Sequence, residues 1–158
     1  MHIDILVIKD GRWIPIELKY KTKKCKIVVD DEEYNLKNHS AKDVSCYSYL
    51  NDIQRIESIR SKVSCFGEGY TILLTNDISY LNAPRKKDCV YRDFSLEEGI
   101  TKSGSLKWAE STGKGTKKGK EEPIELKDKY VMKWETYSVI DETSTETFWF
   151  LINRISIK

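Results

Sequence analysis

IDILVIKDGRWIPIELKY, Ile3 to Tyr20, is two short apolar runs joined by Lys9-Asp10-Gly11-Arg12. Asp-Gly between alternating runs is the strongest short-range signal for a β-hairpin. With Asp10 and Gly11 as the loop, Asp4 faces Glu17 and His2 faces Lys19. Side chains alternate along a strand, so these four emerge on one face. Ile3, Ile5, Val7, Ile14, Ile16 and Leu18 line the other, which reads as the surface that packs on the core.

Two carboxylates directly opposed across a hairpin repel at a Cβ separation of about 5 Å. A divalent cation converts that repulsion into coordination, because magnesium is commonly held by one or two carboxylates plus phosphate oxygens and water. Lys19 beside them can offset charge on a phosphate or orient an attacking water. A solvated charge cluster is the plainer alternative, since exposed ion pairs contribute only about 0–1 kcal/mol. Direct opposition on one face favours the metal site. His2 is next to the terminus and is expected to fray. Trp13 shares the acids' face and covers the sheet.

The composition is that of a folded chain of one domain, with 39% apolar residues among 158. A net charge of +2 does not imply a nucleic-acid partner. Its distribution is more informative: lysines 21, 23 and 24 follow the hairpin, and lysines 114, 117 and 118 lie in a Gly-rich stretch. Such patches can contact phosphates even in a near-neutral protein. The four cysteines show no Cys-x-x-Cys spacing, which argues against structural zinc and for free thiols in the cytoplasm. No run approaches a membrane span or a signal peptide, so no membrane partner is expected.

Three regions follow along the chain, all read as one domain: a motif-bearing core over 1–80, irregular basic loops over 83–122, and C-terminal strands over 123–158. Lys26–Val29 is a short strand or a continuation of the excursion, followed by an acidic turn. Ser40 is expected to cap a helix running to about Lys62. Its apolar positions Val44, Tyr47, Leu50, Ile53, Ile56, Ile59 and Val63 form one stripe, with Asp52, Arg55 and Glu57 off it and Gln54 at its border. Tyr70 to Leu74 reads as a buried strand. Strand, strand, helix, strand implies a crossover that sets the last strand parallel to Trp13–Tyr20. Lys129–Ile140 and Thr147–Ile157 read as two strands joined over 141–146. STGKGTKKGK, Ser111 to Lys120, is a mobile loop; its glycine spacing and Glu121 fail the phosphate-loop pattern. PIELK recurs at Pro123–Lys127, but without an Asp-bearing partner strand Glu125 and Lys127 read as coincidence.

Asp4 followed by Glu17-Leu18-Lys19 resembles the motif of the PD-(D/E)XK nuclease superfamily. That family carries an Asp on one central strand and Glu-x-Lys on the next. The run LKNHSAKDVSCYSYLNDIQRIES resembles the crossover helix of its uncharacterised members. The resemblance covers roughly residues 2–77. It implies a restriction-endonuclease-like α/β fold, a mixed sheet with hairpin, crossover helix and parallel strand, here with a β-rich C-terminal half. It implies catalysis by Asp4, Glu17 and Lys19, with Mg²⁺ or Mn²⁺ held by Asp4, Glu17 and the Leu18 carbonyl. Gln54, Asp52 and Arg55 would support the site from the helix, and the partner would be nucleic acid, DNA in the first instance. Family members usually carry a strand before the Asp. Here either the start is a fragment, or the C-terminal strands or a second copy in a homodimer would complete the sheet. A catalytically inactive nucleic-acid-binding or assembly module that retains the fold is the alternative.

Overall fold

The computed structural model describes residues 2–86, 88–140 and 147–157. The opening hairpin is β1 (Ile5–Lys9) and β2 (Arg12–Lys21), and a second is β3 (Cys25–Val29) and β4 (Glu32–Leu36). Helix α1 (Lys42–Lys62) leads to β5 (Glu68–Thr75). Strand β6 (Thr101–Leu106), the short α2 (Lys114–Lys117), β7 (Ile124–Val131), β8 (Trp134–Val139) and β9 (Thr147–Ser156) follow. The fold is α/β and mostly strands. Its main sheet is mixed and five-stranded, ordered β1-β2-β5-β9-β8. Among the described residues no helix is long and apolar enough to cross a membrane.

The first hairpin has the expected register, from Ile5 opposite Ile16 to Lys9 opposite Arg12. Asp10 (φ 51°) and Gly11 (φ 71°) both have positive φ, the backbone a two-residue type I′ turn requires. The crossover is also as expected, with β5 parallel to β2 from Ile16–Tyr70 to Lys21–Thr75. The faces are not. Trp13, Pro15, Glu17 and Lys19 turn toward α1, in phase with Gly69, Thr71, Leu73 and Thr75 on β5. Ile5, Val7 and Leu18 are exposed at 40–44%, and Ile14 and Ile16 are half-buried. Of the face expected to meet the helix, only Ile3 packs against the main core. The phase is set by β5: a Cβ at Gly69 would lie 2.3 Å from Ile56 Cγ2, so that strand must offer its smallest residue to the helix. Glu17 and Lys19 then face inward and are met by charges from α1. The second hairpin covers one corner of the open face, where Cys25 and Ile27 bury Phe148 against Leu74.

Helix α1 is a middle layer. On one side Tyr49 Oη donates to Asn153 Oδ1 on β9 at 2.9 Å. On another the fully buried Glu57 carboxylate accepts the Lys127 N–H (2.9 Å), the Asp128 N–H (3.0 Å) and the Tyr130 hydroxyl (2.8 Å) of β7. Tyr47 stacks on Trp108 at 5.5 Å. A single apolar stripe therefore understates the burial, because Asp52 and Glu57, expected at the surface, are both inside. Ser40 does not cap the helix: α1 starts after Ala41 in the left-handed region, with no side-chain cap.

The 83–122 region is less irregular than expected. It holds β6, which pairs with β7 in a separate two-stranded sheet. The stretch Ser111–Lys120, read as a free loop, carries α2 and is tied back by Trp108 Nε1 donating to the Lys120 carbonyl at 2.9 Å. The strand expected over Lys129–Ile140 is divided at Met132 and Lys133 between β7 and β8, which belong to different sheets. Thr147–Ile157 is β9 as read, while the expected connection over 141–146, like Lys87, lies outside the described residues.

Glu57→Ala leaves three donors without their acceptor, the buried Tyr130 hydroxyl and two part-buried N–H groups, and a buried donor so stranded costs about 1–3 kcal/mol. Urea unfolding is expected to show a loss of about 3 kcal/mol or more, and the exposed Glu135→Ala about none. Equal midpoints in the two variants would contradict the anchoring role of Glu57.

Candidate active site

The site forms where β1, β2 and α1 meet. Asp4 precedes β1, and its Oδ2 accepts the Leu18 N–H at 2.8 Å, which brings its carboxylate across the hairpin to Glu17. Asp4 is exposed and Glu17 is only 4% exposed, so the pair runs from the surface inward. Two residues on, Lys19 Nζ lies 2.5 Å from Asp52 Oδ2 on the helix. Arg55, one turn beyond Asp52, places Nη1 3.1 Å from Asp52 Oδ1 and Nη2 3.1 Å from Glu17 Oε1. The same guanidinium donates to the His2 carbonyl.

Three carboxylates and two cations thus share a half-buried space, one negative charge in excess. Glu17 bears the consequence, its carboxyl being pushed up to about 7. Burial is the main cause and the nearby Asp52 charge the next; Arg55 opposes them, while the charge and hydrogen-bonding proximity of Asp4 add to the rise. Glu17 Oε1 is buried and, although close to Arg55, has no hydrogen bond of good geometry. A buried carboxylate oxygen without a directed donor, beside a second carboxylate, is a donor set that suits a hard cation. Among the described residues no three His, Cys, Asp or Glu converge in a metal-ligand group. The protein would therefore offer Asp4 and Glu17, with backbone, water or phosphate oxygens filling the remaining positions, as is usual for magnesium.

Of the residues singled out by sequence, the structure brings together Asp4, Glu17, Lys19, Asp52 and Arg55. Gln54 is half-buried and makes no hydrogen bond to the group. Lys21 lies on β2 two residues beyond Lys19, and Lys23 and Lys24 are exposed just after the strand. Lysines 114, 117 and 118 belong to the segment anchored by Trp108, beyond Tyr47 on the helix face turned away from the main sheet. They do not reach the site. Lys127 of the second PIELK binds Ser61 Oγ at 2.8 Å, and Glu125 binds Ser105 Oγ at 2.7 Å, so that copy forms no comparable pair. Asp52 was readable as inward-facing: Tyr49, Asp52, Ile56 and Ile59 recur at helical spacing, and three of the four are apolar.

No family model matches the sequence, and neither a curated protein nor a solved structure matches it.

The raised Glu17 carboxyl has a thermodynamic sign. Its folded value lies above the ordinary 4.5, so the folded state holds that proton more tightly than the unfolded chain does. This contribution is complete below about 4.5 and is lost as pH rises through about 7. In metal-free buffer the melting temperature should therefore carry a downward contribution across that window. Glu17→Gln should flatten it, as calorimetry at closely spaced pH values will show. A wild-type and variant difference that does not change with pH would exclude the titration.

Proposed function

We propose that the protein is a metal-dependent nuclease of the PD-(D/E)XK kind, hydrolysing phosphodiester bonds in nucleic acid, DNA in the first instance. The observation that carries this reading is the meeting of Asp4, Glu17 and Lys19 on one face of a hairpin, backed by Asp52 and Arg55 from the crossover helix. Supporting it further is the order of elements, a hairpin, a crossover helix and a strand parallel to the Glu-x-Lys strand, the order expected of a restriction-endonuclease-like fold.

In this mechanism Asp4, Glu17 and the Leu18 carbonyl would hold Mg²⁺ or Mn²⁺. Bound there, such an ion supplies Lewis-acid polarisation of the phosphate and a water of lowered pKa. Lys19 stands on the same face, its ammonium directed by Asp52, and offsets charge developing on the scissile phosphate. Glu17 must release its proton to act as a ligand, so divalent-ion affinity rises with pH up to about 7 and then levels. Arg55 offsets the Glu17 charge, and its hold on Asp52 and the His2 carbonyl would let it face a bound phosphate.

The bridging Arg55 also favours a second reading, in which the guanidinium permanently takes the cation's place and the protein is a catalytically inactive binding or assembly module. Plasmid and single-stranded DNA, incubated with and without Mg²⁺, separate the two. For the nuclease, Lys19→Ala lowers the cleavage rate by about 10²-fold or more. Mg²⁺ or Mn²⁺ also raises the wild-type melting temperature, and Glu17→Gln abolishes that response. Equal cleavage by wild type and Lys19→Ala sinks the assignment. No metal response in wild type, together with metal-insensitive DNA binding, establishes the inactive module.

A further inference from the structure

A cavity of about 590 Å³ opens just past the carboxyl ends of β2 and β5, beside the first residue of α1. Beyond the carboxyl ends of parallel strands is where α/β sheets characteristically receive ligands. Its cations come from separate elements: Lys23 follows β2, Lys42 begins α1, and Arg85 and Lys86 come from the segment after β5. Two acids, Asp77 and Asp88, share the lining. The Asp77 carboxylate is engaged locally, accepting the Ser79 N–H at 3.0 Å. Lys42 Nζ donates to the Ser79 carbonyl and lies over the rings of Tyr80 and Tyr91 at 5.5 and 5.7 Å. Among the described residues Lys23, Arg85 and Lys86 have no ion-pair partner, so their charge is available to a ligand.

The cavity also lies past the end of the strand that carries Lys19. Lys19 and Lys21 share one side of β2, and Lys23 follows two residues beyond its end. Asn76, at the end of β5, fixes Lys23 in place: its Oδ1 accepts the Lys23 N–H at 2.7 Å and its Nδ2 donates to the Lys23 carbonyl at 3.2 Å. Lys23 lies four residues beyond Lys19, two of them past the end of β2.

We propose that this cavity is a docking subsite for the sugar-phosphate backbone of the nucleic acid whose scissile phosphate meets Lys19. Lys23, Arg85 and Lys86 bind phosphate oxygens there, and Lys42 sets the charge of the floor. The subsite holds the strand in line with the active site without reading its bases, because phosphate contacts position and carry no sequence information. Only the placement relative to Lys19 rests on the nuclease reading; the binding itself does not.

The test measures anisotropy of a fluorescein-labelled DNA duplex in EDTA, where no metal-dependent cleavage occurs, over a range of salt concentrations. Arg85→Gln combined with Lys86→Gln changes two exposed side chains, and thermal melting checks that the fold is kept. Expected is a loss of affinity of about tenfold and a salt dependence shallower by about two counterions. Lys114→Gln with Lys118→Gln, on the far basic segment, should leave both unchanged. Lys19→Ala should lose cleavage in Mg²⁺ while retaining most of the duplex affinity, so failure of the catalytic reading and failure of the subsite give different results. Unchanged affinity in the Arg85/Lys86 variant overturns the subsite, and so does an equal loss in the two lysine-poor variants. Displacement of the duplex by adenosine monophosphate at an equal phosphate concentration also overturns it, because the cavity would then be a site for a free nucleotide.

Discussion

Two carboxylates on α1, Asp52 and Glu57, are buried on different sides of one helix, and the rest of the structure follows from satisfying both. An unpaired buried charge costs several kcal/mol, so neither position tolerates approximate packing. Asp52 is met by Lys19 and Arg55 against the main sheet. Glu57 is met by backbone N–H groups and a hydroxyl of β7. Apolar contacts such as Ile53 and Ile56 would accept a helix shifted by part of a turn. These polar partners would not. The carboxylates therefore fix the rotation and height of α1 between its two layers, and with it the position of Asp52 and Arg55 over Glu17.

The same constraint explains why the hairpin is turned over. A strand of alternating apolar and charged residues normally hides the apolar set. Here the charged set is hidden because the helix supplies opposite charges and β5 supplies the close approach at Gly69. The consequence is an open sheet face on which Ile5, Val7, Leu18 and Ile152 remain 40–44% exposed. The β3–β4 hairpin shelters Leu74 and Phe148 at one corner only. The inward charged layer is thus maintained against a hydrophobic driving force that favours the opposite orientation.

This inversion marks the limit of what the residues disclosed by themselves. Local geometry was legible: Asp10-Gly11 set the turn and register, and helical spacing placed α1. The order of elements gave the parallel pairing of β2 with β5. The convergence of Asp4, Glu17 and Lys19 followed from that register alone. Which face turned inward did not, because alternation says that two faces differ and is silent on which has a partner. Glu57 was placed outside for the related reason that a charge inside a helix pattern looks solvated until its partners, distant in sequence, are known; Asp52 was placed outside with it, although its phase with Tyr49, Ile56 and Ile59 pointed inward. The split of Lys129–Ile140 between two sheets was likewise a tertiary event: Met132 is fully buried, and the chain changes sheets there without Gly or Pro to announce it.

The charge balance of the site links its two expected ligands. Asp4, Glu17 and Asp52 against Lys19 and Arg55 leave one negative charge when Glu17 is ionised. A divalent ion alone would turn that into one positive charge in a half-buried space, and a phosphodiester alone would deepen the negative excess. Together they bring the sum to zero. On the nuclease reading, metal and substrate backbone therefore bind more strongly in each other's presence, and coupling of this kind is reciprocal. The proton on Glu17 and the guanidinium of Arg55 then act as placeholders, each lowering the cost of a buried carboxylate until the metal and phosphate arrive together. On that reading the site is neutralised internally at rest, and it would not need to hold a metal tightly in order to use one.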